Sequence, residues 1–528
     1  MTNYQFTGGT ICAPATIPGT GAISIIRVSG KESLAIADKV IDTKGVPIAE
    51  TEGYRLRYGT VFEADGSVLD NVIVSVFRAP HSYTGENSVE ISCHASRFIV
   101  NKILELLVNA GARIAAPGEF TRRAFVNGKM DLAQAEAVAD VIASQSAASH
   151  RVAMNQLKGG FSSELKVLRE KLLTMTSLLE LELDFSEEDV EFASRKELGQ
   201  LVDDSLTHIG RLTASFSRGN AIKNGIPVAI VGATNTGKST LLNALLGEER
   251  AIVSDIAGTT RDTIEETLNI DGILFRFIDT AGIRETDETI EKIGIDRTFK
   301  KLGEAAVVLG MTDLSRGEAA VLEDADFILS KVNEMGGVKN VGTEIDGSET
   351  GGASQHGHGD GQERKVVILV NKCDIAGGFY KDDNGTGYGS GNDLGENMTK
   401  IGGNKNVNHD NNMVSLIENK YDNCKVIPIS AKTGKGLSTL TKTLGEIGSE
   451  ITGSTDETLV TNVRHYEALV RAASALERVR AGLHIATLPP DLIAQDLREA
   501  LYHLGEIVGE ITTDETLGNI FRNFCIGK

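Results

Sequence analysis

The sequence predicts a multidomain α/β chain: a doubly wound, mostly parallel sheet domain inserted into a discontinuous helical domain, with a small α+β domain ahead of both. Three observations lead there. The apolar run Pro227-Val228-Ala229-Ile230-Val231 ends directly in the loop Gly232-Ala233-Thr234-Asn235-Thr236-Gly237-Lys238-Ser239, and Leu241 to Leu246 continue as an apolar helix. Further downstream, apolar runs again end in short polar motifs, the alternation expected of strands and helices in a parallel sheet. Helical periodicity flanks that region on both sides, so the simplest topology makes the flanks one domain interrupted by the sheet.

Composition sets the outer bounds. At 528 residues the chain exceeds a single core, and roughly three to four domains are expected. Charge is 53 − 73 = −20, which excludes a surface coated in positive potential for nonspecific nucleic-acid binding. Cys12, Cys93, Cys373, Cys424 and Cys525 lack metal spacing and read as reduced thiols. No apolar run approaches the roughly 20 residues of a membrane span, and the N-terminus carries no basic-then-apolar signal. The expectation is a cytoplasmic protein with no membrane partner.

Residues 1–122 form the α+β domain. Ala22 to Val28 and Val72 to Phe77 read as strands between Gly/Pro turns, and Ser96 to Ala110 as a helix. Arg27 ends one apolar strand and Glu90 lies in the alternating segment Ser88 to Ser92. Taken singly, both read as solvated strand-end charges.

Residues 123–218 turn helical. Leu132, Ala135, Val138, Ala139 and Ile142, then Leu165, Leu168, Leu172, Met175, Leu179 and Leu183, recur at three- and four-residue spacing and read as core. The acidic run Glu187, Glu188, Asp189 and Glu191 reads as a solvated helix start rather than a metal site.

Residues 219–451 carry the chemistry. In the first loop the glycines free backbone N–H groups to curl around phosphates, Lys238 can reach their oxygens, and Ser239 can ligate Mg²⁺. Gly232, Asn235, Thr236, Gly237, Lys238, Ser239 and Thr240 are the candidate contacts there. Ser254 and the polar stretch Asp255-Ile256-Ala257-Gly258-Thr259-Thr260 follow, and Thr260 offers a second hydroxyl to Mg²⁺. The strand Ile273 to Ile278 ends in Asp279-Thr280-Ala281-Gly282, where Asp279 can hold the metal's water shell and Gly282 leaves room for a backbone contact to the γ-phosphate. Val366 to Val370 end in Asn371-Lys372-Cys373-Asp374. A carboxylate at Asp374 accepts both the ring N–H and the exocyclic amine of guanine, a pair adenine lacks, so the nucleotide is GTP. Val426 to Ile429 lead to Ser430-Ala431-Lys432, which would pack on the base from the far side. The stretch Val307 to Asp313 is less apolar after Leu309 than a buried strand usually is, and two inserts lie near the base-binding edge, so altered nucleotide affinity is expected.

Two inserts interrupt this domain near 336–361, which holds nine glycines, and 377–412, rich in Gly, Asn and Asp. Neither buries enough apolar surface to order itself; His356 and His358 in the first are adventitious metal ligands at most. Residues 452–528 return to helix, with Leu469, Leu476, Val479 and Leu483, then Leu497, Leu501, Leu504 and Val508 after Pro489-Pro490. The tail Phe524-Cys525-Ile526-Gly527-Lys528 ends in Lys, which argues against prenylation.

With these residues assembled, the chain resembles the MnmE (TrmE) family of tRNA modification GTPases, within the TrmE-Era-EngA-YihA-Septin-like GTPase superfamily. The resemblance rests on Pro18-Gly19-Thr20-Gly21-Ala22, Ile26-Arg27-Val28-Ser29-Gly30, Tyr83-Thr84-Gly85-Glu86, Pro117 to Phe125, Lys129 to Ala137, the nucleotide motifs and the terminal Cys525-Ile526-Gly527-Lys528. It leaves out only the two inserts. It implies a tetrahydrofolate-binding, dimerising N-terminal domain, a discontinuous helical domain and a Ras-like P-loop GTPase domain. It also implies a homodimer that joins an MnmG-like FAD-dependent partner in a heterotetramer. Together they would install a carboxymethylaminomethyl or aminomethyl group at C5 of the wobble uridine (U34) of certain tRNAs, with 5-formyl- or methylene-tetrahydrofolate as one-carbon donor. By motif, Arg27, Glu90, Lys129 and Lys528 resemble the folate-binding set, and Cys525 a cysteine with a role in modification.

For hydrolysis, the neighbourhood after Gly282 is Ile283-Arg284, without the glutamine that orients water in Ras-type enzymes. Asn235 resembles the family's potassium ligand. Carbonyls or hydroxyls of Ser254, Ile256 and Thr259 would complete the K⁺ shell when two GTPase domains meet, and Glu291 resembles the residue that activates water. Asn235, Lys238 and Glu291 are therefore the catalytic candidates. The competing reading is a ribosome-assembly GTPase of Era or Der type, but no basic RNA-binding module is visible. A dynamin-type scaffold would need a lipid-binding patch, which the acidic chain lacks.

Overall fold

Alternation of apolar and polar residues builds the first sheet of the computed structural model, which describes residues 8–184, 194–249, 266–278, 303, 305–334, 364–374, 417, 420, 424–453, 457–484, 490–522, 524 and 526–527. The chain divides into two compact units, Met1–Ser144 with Arg151–Phe216 and Thr458–Lys528, and Gln145–His150 with Ser217–Glu457.

In the first unit, strands β1 (Ile11–Pro14), β2 (Ile23–Ser29), β3 (Ile41–Asp42), β4 (Arg55–Phe62), β5 (Val68–Phe77), β6 (Ser88–His94) and β7 (Arg113–Ile114) pair in the order β3-β4-β5-β6-β2-β1-β7. Only β1 and β7 run parallel. Period-two patterning decides which face is covered: Val72, Val74 and Val76 point into the core while Ile73 points out. Helices α1 (Ser33–Val40) and α2 (Arg97–Asn109) cover that face with Leu34, Ile36, Ile103 and Leu107.

The helical part of the same unit contains α3 (Glu119–Val126), α4 (Leu132–Ala143), α6 (Gly160–Asp184) and α7 (Arg195–Ala214), with α5 (Ala147–Leu157) between α4 and α6. The helices Val463–Leu483, Pro490–Val508 and Asp514–Arg522 return from the far end of the sequence. One core joins both stretches: Leu165, Leu172 and Leu179 meet Leu198, Val202 and Ile209, then Leu469, Leu476, Leu497 and Leu504. Ile142, grouped with the core by spacing, is instead exposed. The acidic run from Glu187 lies outside the described residues. The start of α4 is locally encoded, because Asp131 Oδ1 accepts the N–H of Gln134 at 2.8 Å and Gln134 Oε1 accepts that of Asp131 at 3.0 Å. Proline at the first position of Pro490–Val508 fits equally well, since that N–H would have no helical partner. Polar groups tie the two stretches together. Arg464 and His465 both contact Glu136, and Ser215 Oγ accepts the N–H of Val460 at 3.1 Å.

The second unit holds α8 (Phe216–Asn224), β8 (Ile226–Gly232), α9 (Lys238–Glu249), β9 (Glu266–Ile270), β10 (Ile273–Phe277), β11 (Val307–Asp313), β12 (Lys365–Asn371) and β13 (Lys425–Pro428). Its sheet order is β13-β12-β11-β8-β10-β9, parallel throughout except for β9 against β10. Strand β8 therefore lies between β11 and β10, and its C-terminal end opens into the glycine-bounded loop, where α/β sheets place their ligands. Helix Glu318–Glu334 packs Val321, Ile328 and Val332 on one face, and helix Leu437–Thr452 packs Leu437, Leu440 and Leu444 on the other. Although its second half is less apolar, β11 is buried at every position from Val307 to Asp313. Gly310 gives Ile368 and Ile328 room, Thr312 donates to the carbonyl of Leu369 at 3.3 Å, and Asp313 is ion-paired. Among the described residues no helix is long and apolar enough to cross a membrane. The two inserts, with His356 and His358, lie outside the described residues.

Candidate functional site

The loop after β8 is shaped by its backbone. Asn235 adopts φ 61° and Gly237 φ 98°, both left-handed, and Gly237 has no space for a side chain because a Cβ would meet Asn371 Nδ2 at 2.5 Å. A Cβ on Gly232 would collide with the carbonyl of Met311 on β11. Thr236 Oγ1 closes the turn onto the carbonyl of Ala233 at 2.9 Å, and Lys238 begins α9. These constraints leave consecutive amides and a helix N-terminus around one concave turn, the geometry that holds a polyphosphate. Lys238 Nζ donates to the carbonyls of Gly232 and Ala233 at 2.9 and 2.8 Å, folded over the same turn. Burial pulls its ammonium below the usual lysine range, so a nearby anion would be a better partner than the two carbonyls. Ser239 and Thr240 follow in the first turn of α9.

Asn371, the last residue of β12, joins this loop to the next one. Its Nδ2 donates to the carbonyl of Thr236 at 2.6 Å, and its Oδ1 accepts the N–H of Ala431 at 3.0 Å. Asp374 is oriented by Ser430, whose Oγ donates to Asp374 Oδ1 at 2.7 Å. Ser430 was expected to face a base; it also sets the angle of the carboxylate. Ala431 is buried and Lys432 exposed. Lys372 has φ 66° and its Nζ pairs with Asp313 Oδ2 at 2.6 Å. Asp313 was not among the sequence candidates. Its signal was present, as a carboxylate closing a strand that opens with Val307-Val308-Leu309. Burial acts against its charge, but hydrogen bonds from Lys372 and Ser315 outweigh it and hold the carboxyl below the usual range.

The structure thus brings Asn235, Thr236, Gly237, Lys238, Asn371, Lys372, Asp374, Ser430 and Ala431 to one end of the sheet. Ser254, Asp255, Ile256, Ala257, Gly258, Thr259, Thr260, Asp279, Thr280, Ala281, Gly282 and Glu291 lie outside the described residues. The amide of Asn235 and the hydroxyl of Ser239 are neutral oxygen donors beside the cradle, which suits a hard cation. Among the described residues no group of three His, Cys, Asp or Glu converges as a metal site.

In the other unit, Arg27 and Glu90 face each other across β2 and β6. They are not solvated strand-end charges. Arg27 Nε donates to Glu90 Oε1 at 3.0 Å with only 16% of its side chain exposed, and its guanidinium lies 5.1 Å from the Tyr83 ring and 5.7 Å from that of Phe120. A second arm reaches the carbonyl of Gly527 at 3.3 Å, so the tail next to Lys528 meets β2. Lys129 turns to the carbonyl of Pro80 at 3.1 Å. Cys525 and Lys528 lie outside the described residues.

A family model described as "MnmE helical domain" matches residues 132–525, and one described as "GTP-binding protein TrmE N-terminus" matches residues 10–129. Among curated proteins, the chain is 47% identical over 522 residues to the tRNA modification GTPase MnmE of Parabacteroides distasonis, covering 98% of this chain and 100% of that one. It is 46% identical to the protein of the same name from Bacteroides thetaiotaomicron, covering 98% and 99%. Against the Porphyromonas gingivalis protein of that name it is 45% identical over 530 residues, covering 99% of each.

Proposed function

The chain belongs to the family of the tRNA modification GTPase MnmE and is a GTP-hydrolysing enzyme of tRNA modification; we propose that it spends GTP to drive chemistry at C5 of the wobble uridine. The tie from Asn371 to Thr236, which makes the phosphate cradle and the Asp374 loop one site, carries the GTP part of this reading, and the kinship to tRNA modification GTPases supports the tRNA part.

In the proposed mechanism, the loop amides and α9 receive the β- and γ-phosphates, and Lys238 exchanges two backbone carbonyls for phosphate oxygens. Asp374, angled by Ser430, accepts from the guanine edge. Ser239 and Thr260 would hold Mg²⁺, with Asp279 toward its water shell, and Asn235, Ser254, Ile256 and Thr259 would hold K⁺. When bound, the two cations supply positive charge where negative charge develops in phosphoryl transfer. Glu291 orients the attacking water, the task for which the chain has no glutamine after Gly282. Asp255 to Gly258 and Thr280 to Ala281 would line the nucleotide site, and Gly282 would leave room for a backbone contact to the γ-phosphate.

In the same proposal, residues 1–122 bind the folate that supplies the one-carbon unit, 123–218 with 452–528 form the helical domain, and 219–451 the GTPase domain. Arg27, Glu90, Lys129 and Lys528 hold the folate, and the Arg27–Glu90 pair beside Tyr83 supports this. The protein acts as a homodimer with an MnmG-like FAD-dependent partner on tRNA, and K⁺-dependent pairing of GTPase domains moves the helical arms. Mass spectrometry of wobble-position nucleosides from a deletion strain tests it. Loss of the C5 substituent is the expected result, and unchanged uridine modification overturns the reading.

A further inference from the structure

We propose that Asp313 is a positioning residue of the guanine site, acting through Lys372. The inference rests on the guanine reading of Asp374 and names a residue which that reading does not include. A carboxylate with 5% of its surface exposed, at the end of a central strand, is unfavourable unless its oxygens are engaged. Both are. Oδ1 accepts the N–H of Ser315 at 3.0 Å and its hydroxyl at 2.5 Å, and Oδ2 takes Lys372 Nζ at 2.6 Å. The position of the carboxylate is therefore set by β11 and its own turn, independently of any ligand.

Lys372 is the residue so anchored. Its backbone adopts φ 66°, unusual for a lysine, directly after Asn371, and Asn371 stands opposite Asp313 in the β11–β12 register. With its backbone at φ 66° directly after the anchored Asn371 and its ammonium on Asp313, the four-carbon stem runs between two set ends, two residues before Asp374. A lysine stem held in this way offers an apolar edge to a purine ring while its charge is neutralised elsewhere. Asp313 thus fixes the ammonium so that the stem is in place before the base arrives, which lowers the ordering cost of binding. This also accounts for the polar end of β11, which no packing argument requires.

The test uses the full chain, equilibrium binding of N-methylanthraniloyl-GDP and -GTP, and steady-state hydrolysis. Asp313→Asn keeps the volume and one acceptor but removes the charge. Both nucleotides should bind roughly tenfold more weakly, with kcat at saturating GTP and the preference for guanine over xanthine unchanged. Lys372→Met should lose affinity similarly, and the double variant should lose no more than either single change. Full affinity in Asp313→Asn, a fall in kcat at unchanged affinity, or additive losses in the double variant would overturn the proposal. A wild-type chain without guanine preference would overturn the Asp374 reading and this inference with it. Because the double-variant comparison is made within the Lys372→Met background, it holds even where Asp313→Asn alone lowers thermal stability.

Discussion

The side-chain amide of Asn371 donates to the backbone carbonyl of Thr236 across 2.6 Å. The same side chain accepts from Ala431 N at 3.0 Å, so three loops from β8, β12 and β13 share one amide. Removing it leaves a buried carbonyl and a buried N–H without partners, each worth about 1–3 kcal/mol. Asn371→Ala should therefore weaken GTP and GDP by roughly a hundredfold, equally for both, because the lost tie positions the site rather than touching the γ-phosphate. Equilibrium binding measures this; a loss confined to GTP would contradict it.

Lys238 gives a pH dependence. Burial lowers the pKa of its ammonium in the free protein, whereas a polyphosphate beside it raises that pKa. Binding therefore takes up a proton once the pH passes the free-state pKa, so affinity is full below that pKa and falls as pH rises through it. Wild-type affinity for GTP should decline on the alkaline side, and Lys238→Met should be weak throughout and lack that decline. Titration by fluorescence from neutral to alkaline pH reads both.

Legibility in the sequence tracked the range of the interaction. Runs such as Pro227 to Val231 and Val366 to Val370 are short and uniformly apolar, and they are strands in the structure. The cap of α4 by Asp131 and Gln134 is as local. Arg27 was misread singly because its partner Glu90 is 63 positions away and meets it only through the β2–β6 register. The polar end of β11 has the same kind of partner, since Lys372 reaches Asp313 from the end of β12. Periodicity reports which face is buried, but not which distant charge crosses to neutralise a polar residue on it.

Glu136 carries an acid-stability prediction. Burial acts to raise its carboxyl pKa, but His465 at 2.7 Å and Arg464 at 3.0 Å outweigh it and hold the group from its ordinary 4.5 down to about 2. A depressed carboxylate contributes stability that is fully present above its unfolded value and is lost as pH falls through the folded one. The loss should therefore occur between pH 4.5 and about pH 2. Glu136→Gln leaves Arg464 without its counter-charge and should cost about 3 kcal/mol at neutral pH. The gap in apparent Tm between wild type and variant should close as the pH drops through that window. A gap constant with pH would show that the carboxylate is not held low.

Asn235 allows the potassium reading to be separated from backbone strain. Its φ of 61° is one that alanine adopts poorly, so Asn235→Ala changes the loop and the side-chain oxygen together. Glycine takes the same backbone angle without steric strain, so Asn235→Gly removes the side-chain oxygen while leaving that angle accessible. If that oxygen holds a cation at the phosphates, wild-type hydrolysis should be faster in K⁺ than in Na⁺, and Asn235→Gly should run at the Na⁺ rate in both salts. Nucleotide affinity should change little, because the cation acts on charge that develops during transfer. Turnover in matched KCl and NaCl decides it. Equal rates for the wild type in both salts would remove the cation from the mechanism. K⁺ stimulation that survives in Asn235→Gly would instead place the cation on other oxygens and leave Asn235 as a shaper of the loop.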